Sequence, residues 1–222
     1  MDVLKLDDNI MQQRTQNFSG FHLAILDFPE TWTVTDLQRF CIMLRYINVQ
    51  LSTLTHYNIV CLCSLSQQAE IHRVLSSETF CKVEHAFYRK GSVQEDNAPR
   101  SVLQQDVGAL VCGFWSASGR VSTDDQLTRP RSNFFDIKEP WTLAKTDNGS
   151  PVNVHQKPLQ LLQDIVDAMS PKQGWVLDAC SGTGTGIVAC LLGGRNCVAV
   201  ELEESQAAHV TRRLTSLVFP KE

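Results

Sequence analysis

The sequence predicts a doubly wound α/β fold with a mostly parallel sheet, and three observations support this prediction. Short apolar runs that are typical of buried strands alternate with segments whose apolar residues recur at helical spacing. A glycine-rich turn separates one such strand from one such helix near the end of the chain. The chain has 222 residues, of which 43% are apolar and 20% charged, so it can bury a sizeable core and is not broadly disordered.

The first 115 residues contain the elements of an N-terminal half. Apolar runs predict five strands, over residues 3–6, 21–26, 58–63, 80–88 and 107–115. Apolar residues at helical spacing predict one helix from Thr35, its expected N-cap, to Ile47, and another over residues 66–75. Polar stretches follow at 89–106 and 116–153. The second stretch is too long for an ordinary connection and is a candidate substrate-recognition loop.

The C-terminal part of the chain has the clearest periodicity. It predicts an amphipathic helix over residues 159–169, with Pro158 in its first turn. Strands are predicted over residues 174–177 and 197–200, and helices over 187–192 and 203–217. Because these strands alternate with helices, we expect a parallel, doubly wound sheet.

Composition and charge exclude several classes of protein. The net charge of −4 is not that of a protein that binds polyanions through bulk charge, so any nucleic-acid contact has to come from a local patch. Eight cysteines, mostly in apolar runs, are expected to be reduced core residues. The sequence has no C-x-x-C pair and no histidines at ligand spacing, so we predict no metal site.

The N-terminus predicts the cellular compartment. Residues 1–8 are acidic and contain no long apolar run, which argues against a secretory signal and against a transit peptide. No apolar run reaches the roughly 20 residues that a membrane-spanning helix needs. We therefore expect an intracellular protein, nuclear or cytoplasmic, without a membrane partner.

The glycine-rich turn reads Asp-Ala-Cys-Ser-Gly-Thr-Gly-Thr-Gly over residues 178–186. Counted from Gly182, the third glycine of a nicotinamide-binding fingerprint is replaced by Ile187. No lysine follows as in a phosphate-binding loop, and Asp178 would repel a pyrophosphate but suits a ligand with an ammonium group. With Glu201 after the next strand, where a carboxylate can accept hydrogen bonds from ribose hydroxyls, the pattern favours S-adenosylmethionine. A tight turn without a ligand is the alternative.

These motifs resemble those of the DNA amino-methyltransferases, the N6-adenine and N4-cytosine family in its permuted, β-class motif order. Residues 178–185 are similar to that family's D-P-F-x-G-S-G-T motif, and residues 155–158, His-Gln-Lys-Pro, are similar to the end of its H-x-x-Q-K-P element. Residues 27–30, Asp-Phe-Pro-Glu, take the place of its catalytic D-P-P-Y motif. The resemblance extends from about Val3 to Leu217 and is weakest across residues 89–150.

The resemblance implies a Rossmann-like methyltransferase fold and a set of site residues. The implied catalytic residues are Asp27, Phe28 and Pro29. The implied cofactor-binding residues are Asp8, Lys157, Pro158, Asp178, Cys180, Gly182, Gly184, Thr185 and Glu201. It also implies one domain over residues 1–222, with a catalytic half at 1–115, a variable loop at 116–153 and a cofactor-binding half at 154–222.

The implied activity is transfer of a methyl group from S-adenosylmethionine to adenine N6 or cytosine N4, in DNA in preference to RNA. One departure from the motif supports a different hypothesis. Glu30 stands where the family has an aromatic residue that stacks on the base. The alternative is a weakly active or inactive methyltransferase-fold subunit that binds nucleic acid or a protein partner. A homodimer or a heteromeric assembly fits either hypothesis.

Overall fold

A computed structural model describes most of the chain. The described residues are 18–29, 31–50, 54–89, 107–120, 132–137, 143, 145, 149, 152–153 and 155–218. Their strands are β1 (Phe21–Asp27), β2 (His56–Cys63), β3 (Lys82–Arg89), β4 (Val107–Ser116), β5 (Phe134–Phe135), β6 (Trp175–Asp178) and β7 (Asn196–Ala199). Their helices are α1 (Val34–Gln50), α2 (Gln68–Ser77), α3 (Leu159–Met169), α4 (Thr185–Leu192) and α5 (Glu204–Val218).

The strands form one twisted sheet in the order β5-β3-β4-β2-β1-β6-β7. β1 pairs in parallel with both β2 and β6, β6 pairs in parallel with β7, and β3 pairs in parallel with β5. β4 is the reversed strand, since it is antiparallel to both β2 and β3. The predicted fold class, a mostly parallel α/β sheet, is confirmed.

Helices cover both faces of the sheet because the strands in its centre are apolar on both sides. Leu26 of β1 packs in one core cluster with Phe40 of α1 and Val74 of α2. Ile25, the neighbour of Leu26, points to the opposite face and joins the cluster that contains residues of α3 and α4. This three-layer arrangement leaves the edge at the carboxyl ends of the parallel strands open for a site.

The pairing of β1 with β6 joins the two halves of the chain. Ile25 lies opposite Asp178, so Asp27 extends two residues past that pair at the same edge of the sheet. Asp27 also pairs with Leu62 of β2. The strand that ends in the predicted catalytic motif therefore lies directly beside the strand that ends in the glycine-rich turn.

Several local expectations differ from the structure. The N-cap of α1 is Thr33 and not Thr35, because Thr33 Oγ1 accepts the Asp36 N–H at 3.4 Å and the Asp36 carboxylate accepts the Thr33 N–H at 2.9 Å. This reciprocal pair is a capping box. Pro158 is the N-cap residue of α3 and not a first-turn residue. The predicted strand at 3–6 lies outside the described residues.

The polar stretch at 116–153 contains structure that its sequence does not predict. Phe134–Phe135 forms the short strand β5, which pairs with Phe87–Tyr88 at the edge of the sheet. Ile137, two residues later, is buried in the second core cluster. The apolar residues thus anchor part of this stretch to the sheet.

All eight cysteines lie in described segments and are free thiols. Burial raises the pKa of Cys41 and of Cys112 to about 12, as expected for core residues. Within the described segments, no helix combines the length and the apolar character needed to cross a membrane.

Candidate active site

A cavity of about 560 Å³ opens at the carboxyl edge of the parallel strands. Its lining comes from both halves of the chain: Asp27 and Trp32 from the first, and Asp178, Gly182 and Glu201 from the second. Its volume is within the usual range of small-molecule sites, about 300–1,000 Å³. It lies where ligands bind in open parallel sheets, outside the carboxyl ends of the strands.

The glycine-rich turn forms one wall because its backbone conformation requires glycine. Gly182 and Gly184 have φ angles of 51° and 76°, in the left-handed region. Gly184 is the N-cap residue of α4, so the turn leads directly into that helix. Gly186 allows a close approach, because a Cβ atom at that position would lie 2.2 Å from Asp178 Oδ2. The turn and the Asp178 carboxylate are therefore packed as one unit.

Asp178 is a buried acid at the base of the cavity, with 5% of its surface exposed. Its pKa is raised to about 7, first by desolvation and then by the negative charges of Asp27 and Glu201. A cation bound in the cavity would offset all of these effects by stabilising the ionised carboxylate. A strongly shifted acid in a cleft is typical of a functional site.

Glu201 accepts hydrogen bonds from the glycine turn and from the loop that follows β7. Its Oε2 accepts the Gly182 N–H at 2.6 Å, and its Oε1 accepts the Glu203 N–H at 2.9 Å. Two residues past the end of β7, the carboxylate thus bridges the two loops that follow β6 and β7. A carboxylate oxygen can accept more than one hydrogen bond, so these contacts are compatible with a ligand hydroxyl at the same group.

Asp27 is the acidic residue that the first half of the chain contributes to the cavity lining. Its Oδ2 accepts a hydrogen bond from Lys157 Nζ at 2.5 Å, which makes an ion pair between the two halves of the chain. The neighbouring Phe28 N–H donates to the Leu62 carbonyl at 2.9 Å and continues the sheet by one residue. The Pro29 carbonyl accepts the Trp32 N–H at 3.0 Å, so the chain turns back at this point.

The segment 155–158 connects Asp27 to the glycine turn. While Lys157 binds Asp27, the adjacent Gln156 accepts a hydrogen bond from Thr183 Oγ1 at 3.0 Å. Arg213 of α5 donates to the Thr183 carbonyl at 2.9 Å. Gln156, Thr183 and Arg213 were not predicted as site residues, although the first two lie inside the His-Gln-Lys-Pro segment and the glycine-rich turn.

The structure brings most of the predicted site residues together. The predicted residues that line the cavity are Asp27, Phe28, Pro29, Lys157, Asp178, Cys180, Gly182, Thr185 and Glu201. Pro158 and Gly184 are buried behind its wall and set the starts of α3 and α4. Asp8, a predicted cofactor-binding residue, and Glu30 lie outside the described residues.

The residues present fit S-adenosylmethionine, which carries a sulfonium and an ammonium cation. The buried carboxylate of Asp178 can pair with a cation, and the main chain between Gly182 and Gly184 can approach a ligand closely because neither glycine carries a side chain. Glu201 can accept ribose hydroxyls with its carboxylate oxygens.

Comparison with solved structures shows the same fold. M1.HpyAVI, solved as a complex with SAM, shares 22% identity, with 96% of each chain covered and a TM-score of 0.69. TTHA0409 of Thermus thermophilus, assigned as a DNA modification methylase and complexed with S-adenosyl-L-methionine, shares 18% identity, with 92% of each chain covered and a TM-score of 0.58. The cytosine-N4-specific PvuII DNA methyltransferase shares 12%, covering 88% of this chain and 81% of its own, with a TM-score of 0.52.

The search of curated proteins found no significant match. The family model described as DNA methylase, N6_N4_Mtase, matches residues 85–212, which is more than half of the chain. That range includes the His-Gln-Lys-Pro segment, the glycine turn and Glu201. The N6-adenine and N4-cytosine resemblance is thereby confirmed, and the chain belongs to the DNA methylase family.

Proposed function

We propose that this protein transfers a methyl group from S-adenosylmethionine to the exocyclic amine of adenine or cytosine in DNA. The observation that carries the proposal is the shared cavity, which is lined by Asp27 and by residues of the glycine turn. Family membership and the cofactor-bound neighbours M1.HpyAVI and TTHA0409 support both the cofactor and the type of substrate.

The residues at the end of β1 suit the recognition of an amine. The lone pair of an exocyclic amine is delocalised into its ring, so it becomes nucleophilic only when its hydrogens are held out of the ring plane. The Asp27 carboxylate and the Phe28 carbonyl are the two acceptors proposed for these hydrogens. The cofactor supplies an electrophilic methyl group, and the chain contributes by holding the amine in line with it.

The target base has to leave the duplex to reach this cavity. Trp32 and Phe28 line the cavity and contact each other edge to face, with ring centroids 6.2 Å apart. We propose that one of these rings stacks on the base, in place of the aromatic residue that the family has at position 30. Such stacking contributes about 1–3 kcal/mol per base.

We further propose that residues 1–222 act as one domain and that residues 116–153 recognise the DNA around the target base. The anchoring of β5 beside β3 supports this, because it attaches part of the stretch to the same sheet as the site. The negative net charge means that DNA contacts have to be concentrated locally.

Labelled methyl incorporation tests the proposal. The protein is incubated with radiolabelled S-adenosylmethionine and unmethylated genomic DNA or total RNA, and the product nucleosides are identified by mass spectrometry. We expect N6-methyladenine or N4-methylcytosine in DNA, and at least a roughly 100-fold loss with Asp27→Ala. Tight cofactor binding without transfer to any DNA would refute the proposal and favour the alternative, a non-catalytic subunit with a nucleic-acid or protein partner.

A further inference from the structure

The contact between Lys157 and Asp27 crosses from one half of the chain to the other. Asp27 ends β1, and Lys157 precedes α3, 130 residues later. The Lys157 side chain is 19% exposed and the Asp27 side chain 36%, so the pair is partly shielded from water. A shielded, charge-assisted hydrogen bond holds its partners in place more firmly than an exposed ion pair does.

Lys157 binds only one oxygen of the Asp27 carboxylate. Its Nζ donates to Oδ2 at 2.5 Å and also to the His155 carbonyl at 3.1 Å. Oδ1 of Asp27 makes no hydrogen bond within the part of the chain that the structure describes. The carboxylate therefore keeps an acceptor for a ligand while its orientation is fixed from the other side.

The backbone on both sides of this contact is also fixed. Gln156 accepts the Thr183 hydroxyl hydrogen bond, which ties the segment before α3 to the glycine turn. Pro158 restricts the chain directly after Lys157, since its φ angle is −58°. The backbone from which Lys157 extends is thus restrained on both sides.

The charges around the cavity give Lys157 a second role at the same contact. The charges on Asp27 and Glu201 both contribute to the raised pKa of Asp178, so three carboxylates influence one another there. The ammonium group beside Asp27 offsets one of these negative charges.

We propose that Lys157 is a positioning residue: it binds Asp27 Oδ2, presents Oδ1 to the target amine, and is not a ligand of the cofactor. The inference rests on the proposed function and deepens it. It replaces the direct cofactor contact that the motif resemblance implies for this lysine. It also assigns a role to the family-like His-Gln-Lys-Pro segment, namely to connect the turn at Thr183 with the acid at Asp27.

Lys157→Met tests the proposal because it removes the ammonium group and keeps an unbranched side chain. Lys172→Met is a matched control. Lys172 likewise donates to a main-chain carbonyl, that of Gly193 at 2.8 Å, and pairs with a carboxylate, Asp167 at 3.6 Å, but it does not line the cavity. Steady-state kinetics on DNA and calorimetric titration with S-adenosylmethionine are measured for each variant.

We expect Lys157→Met to lower kcat roughly 10–100-fold, which is the cost of a small misplacement of a reacting group. The cofactor Kd should stay within about threefold of the wild-type value, and Lys157→Arg should restore part of kcat. Lys172→Met should behave as wild type. Should Lys157→Met fail to melt cooperatively, Lys157→Gln takes its place.

Two results would overturn the inference while leaving the proposed function intact. A cofactor Kd weakened by about tenfold or more with an unchanged kcat would make Lys157 a cofactor ligand. An unchanged kcat and an unchanged Kd would make it a residue without a role at the site. If the wild-type protein itself transfers no methyl group, the proposed function fails first and the positioning role fails with it.

Discussion

Cofactor binding should strengthen as the pH rises from 6 to 8, because Asp178 titrates in this interval. Burial and the charges of Asp27 and Glu201 raise its pKa to about 7. A bound cation favours the ionised carboxylate, so the form that binds best is about one tenth of the free protein at pH 6 and about nine tenths at pH 8. The apparent Kd for S-adenosylmethionine should therefore fall by about tenfold over this range.

Isothermal titration calorimetry in buffers of different ionisation enthalpy measures both consequences. Besides the change in Kd, binding at pH 7 should release about half a proton. Asp178→Asn is the control and should bind weakly at every pH, with no proton release. An affinity that stays constant from pH 6 to pH 8, or proton uptake on binding, would refute the assignment of Asp178 as the cation's partner.

Four further predictions concern stability and the turn. Asp178→Asn should raise the free energy of unfolding at pH 8, measured by urea denaturation, by about 2 kcal/mol or more. An acid whose pKa is raised on folding destabilises the fold once the pH exceeds the unfolded pKa of 3.8, and does so fully above about 7. Equal stability of the variant and the wild type would contradict this. Gly186→Ala should abolish measurable cofactor binding, since the new Cβ atom would lie 2.2 Å from Asp178 Oδ2. A wild-type affinity of this variant in calorimetry would exclude the close packing of residue 186 against the Asp178 carboxylate. Glu201→Ala should weaken cofactor affinity about tenfold or more, because the Gly182 and Glu203 N–H groups lose their acceptor. Glu204→Ala, which removes an exposed carboxylate, should leave the affinity unchanged. Similar losses in both variants would mean that the overall negative charge near the cavity, and not the Glu201 hydrogen bonds, sets the affinity. Thr33→Ala should destabilise the fold by about 1 kcal/mol because it removes the N-cap of α1, whereas Thr35→Ala should cost less than about 0.5 kcal/mol. A larger loss of thermal stability in Thr35→Ala than in Thr33→Ala would identify Thr35 as the cap instead.

Much of the fold could be predicted because burial leaves a strong periodic pattern. Phe21–Asp27 is buried on both faces and reads as a continuous apolar run, whereas α3 carries a clear amphipathic stripe. The strand β5 was missed because two residues provide no period, and it forms only by pairing with Phe87–Tyr88. Thr33 was missed as a cap because both threonines are suitable N-cap residues and both lie just before Leu37, the first residue of the helical apolar pattern.

The candidate site was predicted unevenly for a physical reason. Asp178 and Gly182 belong to a local motif that the sequence shows directly, because its glycines mark a turn with unusual backbone angles. The structure has such an angle at Gly182, where φ is 51°. The contact of Lys157 with Asp27 spans 130 residues, and neither residue alone indicates its partner. The bond from Thr183 to Gln156 was likewise beyond the reach of spacing arguments, since it depends on how α3 and the glycine turn pack.

We expect the two halves of the chain to build one cleft in which the cofactor's methyl group faces Asp27. A crystal structure with a non-reactive S-adenosylmethionine analogue and a short DNA duplex tests it most directly. We predict a flipped base whose exocyclic nitrogen donates to Asp27 and lies about 3–3.5 Å from the position of the transferable methyl group. A cofactor bound elsewhere, or a methyl position directed away from Asp27, would contradict the claim.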